Sequence, residues 1–424
     1  MTNPVYRVDG ERLWRDLEKL ATFGAEEAGG GVTRPAWSRG YLDAERWLVA
    51  QFEDAGLSVR IDAARNVWGR WEEGKLPAIV AGSHIDSVPS GGAFDGCLGV
   101  LGALEAVRAL RRGGHRPDRQ IWIVAWTEEE GSAFGNALFG SRAFVGELDL
   151  EAALERTNAA GETLAQAMGR IRHDSAAPPG LPRLPDGLGD LAAYLELHVE
   201  QGPLLERDGV PVGVVTDIVG LRGARLRFTG QANHAGTTPM DARRDAGVGA
   251  ARGMVEARRL AVDHGVRATA GVVELSPGGT NVIPGRAEFS LDARDREAAA
   301  LEAYVSALRA ACSRIAEEEG LDVAYEQVYD IAPVPMDAEL QRLLTDVCAE
   351  IDTRCRPMVS GAGHDAMVVA PHVPAGMVFV PSRDGISHAP QEFTSPQDCA
   401  KGAEILMHAL ARLSAGKPKT GGHP

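Results

Sequence analysis

Apolar and polar positions follow one pattern before about Thr216 and another after it. In LPAIVAGSHID the apolar run Ile79–Ala81 reads as a short buried strand. GVLGALEAVRALRR then places Val100, Leu104, Val107 and Leu110 three or four positions apart, which predicts a helix with one apolar side, and QIWIVAW reads as a second strand. Strand, helix and strand within about 50 residues form a βαβ unit and imply a parallel sheet. Ligands of such sheets sit beyond the carboxyl ends of the strands. Both the glycine-rich loop that follows Ala81 and the acidic run Thr127–Gly131 fall at such ends.

From about Thr216 the order of elements changes. GARLRFTGQ reads as a strand, the span from Asp241 to Gly265 as a helix, GVVELSPGG and RAEFSLDARD as strands, EAAALEAYVSALRAACSRIAEEEG as a helix and DVAYEQVYD as a strand. The order β-α-β-β-α-β is that of the split βαβ sandwich, an independent α+β, ferredoxin-like domain. After Ile331 the first pattern resumes, with GMVFV as a short strand and a last helix that Ser395 caps and Pro396 opens. The expectation is a discontinuous α/β domain, residues 1–215 and 331–424, with an inserted domain at 216–330. The stretch DSAAPPGLPRLPDGLGD, Asp174 to Asp190, reads as a surface excursion.

Length and charge narrow the function. A chain of 424 residues exceeds what one hydrophobic core usually serves. Its 44 basic and 59 acidic residues give a net charge of −15, which argues against nucleic acid or an anionic membrane surface as a partner. An anionic substrate therefore needs a local positive feature. Neither a signal peptide nor a membrane-spanning run is read in the sequence, and its five cysteines include no CxxC pair, so the expectation is reduced thiols in the cytoplasm.

The loop AGSHIDSVPSGGAFDGCLG sets His84, Asp86 and Asp95 directly after an apolar run. Burying unpaired ionisable groups costs several kcal/mol, roughly, unless something compensates them, and a bound cation is one such compensator. The glutamates of TEEEG, His198 in YLELHVEQGP and His388 in GISHAPQEFTSP also lie at predicted strand ends or in the loops after them. Imidazole nitrogens with carboxylate oxygens suit zinc, and also manganese, cobalt or nickel. A carboxylate can bridge two cations, so several acids permit a two-metal site with ions about 3.5 to 4 Å apart. Read singly, each histidine is more readily a hydrogen-bonded structural residue than a ligand, and the same loops also suit a phosphate.

GSHIDSVPSGGAFDGCLGVLGALE, EEEGSAFG, LELHVEQGP, GQANHAGTTPM, GGTNVIPG, LDARD, SGAGHDA and SHAPQEF, in that order over about residues 80 to 395, resemble the hydantoinase/carbamoylase branch of the M20 family of zinc aminoacylases and carboxypeptidases. That branch holds N-carbamoyl-L-amino-acid hydrolases, β-ureidopropionases and allantoate amidohydrolases. The resemblance implies a zinc-exopeptidase-like catalytic domain carrying a lid and dimerisation domain, two divalent metal ions per subunit, and a homodimer. It makes His84 and His198 ligands of one metal, Asp95 the carboxylate that bridges both, Glu130 and His388 ligands of the second, and Asp86 the acid that holds His84 in its ligating tautomer.

Three successive acids in TEEEG allow two alignments. In the branch this chain resembles, the ligand directly precedes the glycine and lies 35 positions after the bridging aspartate, which selects Glu130 and leaves Glu129 as the general base. The resemblance further implies His234 as the donor that stabilises the oxyanion, with Gln201, Asn281, Arg294 and His364 as substrate contacts. Arginine matches a substrate carboxylate with two parallel hydrogen bonds. Histidine at position 198, where the peptidase branch carries an acid, favours carbamoyl cleavage over dipeptide or aminoacyl hydrolysis. Allantoate is the alternative substrate, and a metal- or amino-acid-binding protein without turnover has no use for Glu129 beside its ligands. One departure stands out: the branch commonly reads EEGxRF, and Ala133 replaces the arginine.

Overall fold

The apolar run at Ile79–Ala81 forms the centre of a longer strand, Lys75–His84, because pairing extends it beyond its most apolar residues, and QIWIVAW makes up all but the first residue of the strand Arg119–Trp126. They belong to a computed structural model that describes residues 6–27, 29–174 and 188–415; the excursion expected at 174–190 lies outside the described residues from 175 to 187. The chain divides into one unit of Met1–Thr216 with Pro335–Pro424 and a second of Asp217–Val334.

The first unit is built on a mixed sheet. Its strand order is Ser58–Ile61, Val67–Trp71, Arg119–Trp126, Lys75–His84, Leu191–Val199, Ala375–Val380, Val212–Ile218 and Val334–Pro335, with Cys355–Ser360 also paired to Val212–Ile218. The four strands Arg119–Trp126, Lys75–His84, Leu191–Val199 and Ala375–Val380 are neighbours and mutually parallel. They are buried over most of their length, as expected where both faces of a parallel sheet are covered. The helix Cys97–Arg112 departs from the one-sided burial its periodicity predicts: Cys97 to Val107, Ala109 and Leu110 are all buried. It is enclosed between the sheet and the helices Gly10–Ala21 and Pro396–Ser414, so its glycines and alanines serve as contact surface too. Ser395 caps the last of these helices by accepting the Asp398 N–H.

The second unit is an antiparallel sheet in the order Val273–Ser276, Arg286–Asp295, Gly220–Thr229, Asp322–Ile331, with Arg267–Thr269 also pairing with Arg286–Asp295. This is the split βαβ order. The helices Ala246–His264 and Ala298–Glu319 pack on it around Leu226, Phe228, Phe289, Leu291, Tyr304 and Leu308. The first of these helices starts five residues later than its periodicity predicts, at Ala246, because the Asp245 carboxylate accepts the N–H groups of Gly247 and Val248 and so marks the N-terminus. Among the described residues no helix is long and apolar enough to cross a membrane.

Candidate metal centre

Four neighbouring parallel strands deliver their carboxyl ends to one edge of the sheet, and the side chains singled out in the first unit lie there. His84 ends its strand, in register with Trp126, so the loop with Glu128, Glu129 and Glu130 leaves beside it. His198 sits one residue from the end of Leu191–Val199, opposite Phe379, and His388 lies in the loop after Val380. Asp95 arrives from the loop that enters the helix Cys97–Arg112. Gly96 makes that entry possible: its φ is +64°, and a Cβ there would stand 2.4 Å from the His84 ring.

The two oxygens of Asp95 face different histidines. Its Oδ1 lies 3.1 Å from His198 Nε2 and 3.6 Å from His84 Nε2, and its Oδ2 lies 3.2 Å from His388 Nε2. Glu130 Oε2 is 3.4 Å from His388 Nε2, and Glu129 Oε2 is 3.8 Å from His84 Nε2. Two ligands placed tetrahedrally around one zinc ion are about 3.3 Å apart at ordinary bond lengths. Donor atoms therefore converge at the separations a shared cation requires, in the groups His84–Asp95–His198, His84–Glu129–Glu130 and Asp95–Glu130–His388. Glu128 is in none of these groups. With φ at +54° it turns away, and its Oε1 accepts the Phe134 N–H at 2.7 Å.

The hydrogen bonds set the imidazole tautomers. His84 Nδ1 is 3.1 Å from the carbonyl oxygen of Asp86, and His198 Nδ1 is 2.9 Å from that of Val199. A carbonyl only accepts, so both Nδ1 atoms carry the proton and both Nε2 atoms present a lone pair, the form a metal needs. The Gly96 N–H, which points at His198 Nε2 from 3.2 Å, agrees with this. For Asp86 the division of labour differs from the expected one. Its main-chain carbonyl is the closer partner of His84, while its carboxylate, 3.6 Å from Nδ1, accepts the N–H groups of Glu129 and Glu130.

Burial shapes the charges. It lifts the carboxyl pKa of Glu130 to about 7, reinforced by the charge of Asp95. Glu129 is likewise pushed well up by burial and by Glu130, Asp365 and Asp86, against the pull of His84. Asp95 goes the other way: burial would raise it, but the imidazoles of His198, His388 and His84 around it hold it well below the usual carboxylate range. His388 is lifted to about 9, chiefly by Asp95. The donor set, of N and O atoms without thiolate, fits a borderline or hard divalent cation, and its concentration of buried acids is what such a cation would compensate.

Residues 80–412 match the profile of peptidase family M20/M25/M40. The chain belongs to this family. An N-carbamoyl-L-amino acid amidohydrolase from Geobacillus stearothermophilus is 40% identical to this M20 chain over 417 residues, 97% of the chain and 100% of that protein. An allantoate amidohydrolase from Bacillus subtilis is 36% identical over 402 residues, 94% of the chain and 96% of that protein. The crystal structure of a hydantoinase/carbamoylase family amidase from Burkholderia multivorans superposes with a TM-score of 0.86 at 40% identity, covering 96% of the chain and 98% of that structure. The zinc-exopeptidase-like α/β fold follows, and M20 proteins are metal-dependent.

Other residues of the M20 chain surround the cluster. Gln201 donates from Nε2 to Asp95 Oδ2 at 2.8 Å, beside His388. His364 packs its ring 4.4 Å from that of His198, with Nε2 2.9 Å from Ser360 Oγ. Two acids that the sequence reading left without a role hold the site from behind. Glu392 accepts the Phe94 and Asp95 N–H groups with one oxygen and the Ser387 hydroxyl with the other; its only signal in sequence is its place four residues after His388. Glu196, two residues before His198 on the same strand, accepts from Ser83, Tyr194 and the Ala366 N–H. Ala133 packs against the apolar core.

His234, Asn281 and Arg294 lie in the second unit. The two-stranded ribbon of Asn233–His234 and Val282–Ile283 brings His234 beside Asn281, whose carbonyl accepts the Ala235 N–H. His234 is exposed, and its Nδ1 accepts the Gly236 N–H, which leaves Nε2–H as an outward donor. Arg294, on Arg286–Asp295, pairs through Nε and Nη2 with Asp292, and Asp292 also accepts the Tyr329 hydroxyl.

Proposed function

We propose that this chain is a dinuclear, metal-dependent amidohydrolase that cleaves the carbamoyl C–N bond of N-carbamoyl-L-amino acids or related ureido acids and releases ammonia and carbon dioxide. The observation that carries the reading is Asp95, whose Oδ1 faces His84 and His198 while its Oδ2 faces His388. In this reading His84, His198 and Asp95 hold one cation, and Glu130, His388 and Asp95 the other. The ions, when bound, acidify water and polarise the ureido carbonyl. Glu129 takes the proton of the attacking water and returns it to the leaving nitrogen. Its protonated form is favoured by burial, which suits the second half of that role. The outward Nε2–H of His234 is the proposed donor to the oxyanion, with Asn281 and Gln201 as amide contacts to the substrate and His364 lining the pocket beside His198.

Arg294 is assigned to the substrate carboxylate. Its guanidinium holds the Asp292 carboxylate side-on through Nε and Nη2, the same two-point geometry in which a substrate carboxylate would be held. Arg294→Ala should lower kcat/KM for carboxylated substrates by about 10- to 100-fold, matching about 1.5–3 kcal/mol for charge-assisted hydrogen bonds. The corresponding substrate amides should lose far less. Equal losses on both would remove the assignment.

A second copy of this chain is the proposed partner. Val248, Val255 and Val262 recur every seven residues on one side of the helix Ala246–His264 and are 43, 68 and 76% exposed, and the edge strand Val273–Ser276 leaves Val273 and Leu275 open. Together they make the apolar surface a homodimer would cover. The five free thiols support a reducing, cytoplasmic setting.

Allantoate is the second reading, favoured by the similarity to the Bacillus subtilis protein. Ammonia release from N-carbamoyl amino acids, ureidopropionate and allantoate, each with zinc, manganese, cobalt and nickel, separates the two. Binding of ureido acids without ammonia release across that panel would overturn both in favour of a binding protein.

A further inference from the structure

Arg34 is fully buried, and among the described residues no carboxylate pairs with its guanidinium. An uncompensated buried charge is costly, and an apolar side chain of similar size would avoid that cost. The structure instead uses four of the five N–H donors. Nε donates to the Ile85 carbonyl at 2.6 Å, Nη1 to the carbonyls of Leu20 and Phe23 at 2.8 Å each, and Nη2 lies 3.0 Å from Cys97 Sγ. The main chain adds two bonds to the same place: the Arg34 N–H donates to Ser87 Oγ, and the Ser87 N–H donates to the Arg34 carbonyl.

These acceptors are not scattered. Ile85 stands between His84 and Asp86, and Cys97 is two residues after Asp95 and opens the helix Cys97–Arg112. Leu20 and Phe23 lie at the carboxyl end of the helix Gly10–Ala21 and just beyond it, where the negative end of the helix dipole favours a cation. One rigid, planar group thus joins the two chain segments that carry His84 and Asp95, and anchors both to a third. A lysine, with a single nitrogen on a flexible stem, cannot span the same acceptors.

We infer that Arg34 is a positioning residue of the metal centre: its guanidinium sets the distance between the His84 and Asp95 segments, and so the affinity for the cation they share. The inference rests on the metal reading above. It assigns Cys97 a part as well, as the acceptor that links Arg34 to the Asp95 side.

The test compares Arg34→Met, Arg34→Lys, Cys97→Ala and Cys97→Ser with wild type. For each protein, zinc affinity is measured by competition with a chromogenic chelator, and thermal unfolding of the metal-free form is followed separately. Arg34→Met should bind zinc about tenfold or more weakly, the usual effect of removing a group that orients ligands, and Arg34→Lys should recover only part of that. Cys97→Ala should weaken binding without a matching loss of metal-free stability, and Cys97→Ser, which keeps an acceptor, should restore it. Wild-type zinc affinity in a folded Arg34→Met protein that merely melts earlier would overturn the inference. If Arg34→Met does not fold, the cysteine pair decides: equal affinity in Cys97→Ala and wild type overturns it. A wild-type protein that binds no zinc would instead bring down the metal reading itself.

Discussion

Glu129→Gln is expected to lower kcat by about 10²- to 10⁴-fold, the range that a positioned general acid–base supplies, while the purified protein binds as much divalent metal as wild type. The expectation comes from the way the loop after Trp126 distributes three consecutive acids. Glu130 reaches toward His388, Glu129 toward His84, and Glu128 turns back to the Phe134 N–H. A glutamine at 129 keeps the shape of the side chain and removes its ability to take a proton from water. Glu128→Gln is the matched control. Burial lifts the Glu128 carboxyl to about 8, so it is already mostly uncharged at neutral pH, and the amide substitution should change kcat by no more than a few-fold. Steady-state kinetics and metal analysis on both variants settle the roles. Loss of metal from Glu129→Gln would show that ligand and base have been exchanged, and collapse of activity in Glu128→Gln would place the base one residue earlier.

The second large effect is expected at Asp95. Asp95→Asn removes a carboxylate that faces histidines on both sides, and it should weaken divalent-metal binding by about a hundredfold or more, with activity falling in step. For wild type, free metal at a hundred times Kd should stabilise the fold by about 2.7 kcal/mol over the chelated protein; at that same metal concentration Asp95→Asn should show almost none of this. Thermal unfolding with and without chelator reads both numbers. A metal-dependent stabilisation that survives in Asp95→Asn would exclude it as a shared ligand.

The pH dependence of the same experiment has a definite sign. Glu128 and Glu130 have folded pKa values of about 8 and about 7, above the unfolded range, so the folded state holds their protons longer and their contributions are lost as pH rises through those values. His388, raised to about 9, likewise contributes fully below its unfolded pKa and loses that contribution as pH rises through 9. Metal-free protein should therefore become less stable from pH 6 to pH 9. Saturating metal should reverse the trend over the lower part of that interval, because the cation displaces those protons and binds better once they are gone.

Much of the site was legible from residue types and order. Strand ends followed by His84, by three glutamates, by His198 and by a loop with His388 already point to an edge where a parallel sheet binds ligands. The cap at Ser395 is local and shows in sequence for that reason. Periodicity was least informative where burial is complete. The helix Cys97–Arg112 is covered nearly all round, so its apolar stripe understates its environment, and the start of Ala246–His264 depended on a cap at Asp245 rather than on the apolar pattern. Glu392 carried no signal beyond its place four residues after His388, and Arg34 carried none. An acid and a base in polar loops look like surface residues until the chain folds over them.

By itself the sequence determined the order of strands and helices, the insertion of a split βαβ element into an α/β chain, and the set of nitrogen and oxygen donors available to a cation. These depend on local periodicity, capping and residue chemistry, which act over a few positions. Only the tertiary structure decided that Glu128 turns to the Phe134 N–H, that the Asp86 carbonyl rather than its carboxylate is the nearer partner of His84, and that Arg34 ties the His84 and Asp95 segments together. Those outcomes are set by backbone dihedrals and by contacts between segments up to tens of residues apart, where a hydrogen bond or a buried charge is satisfied by whichever partner the fold brings within about 3 Å.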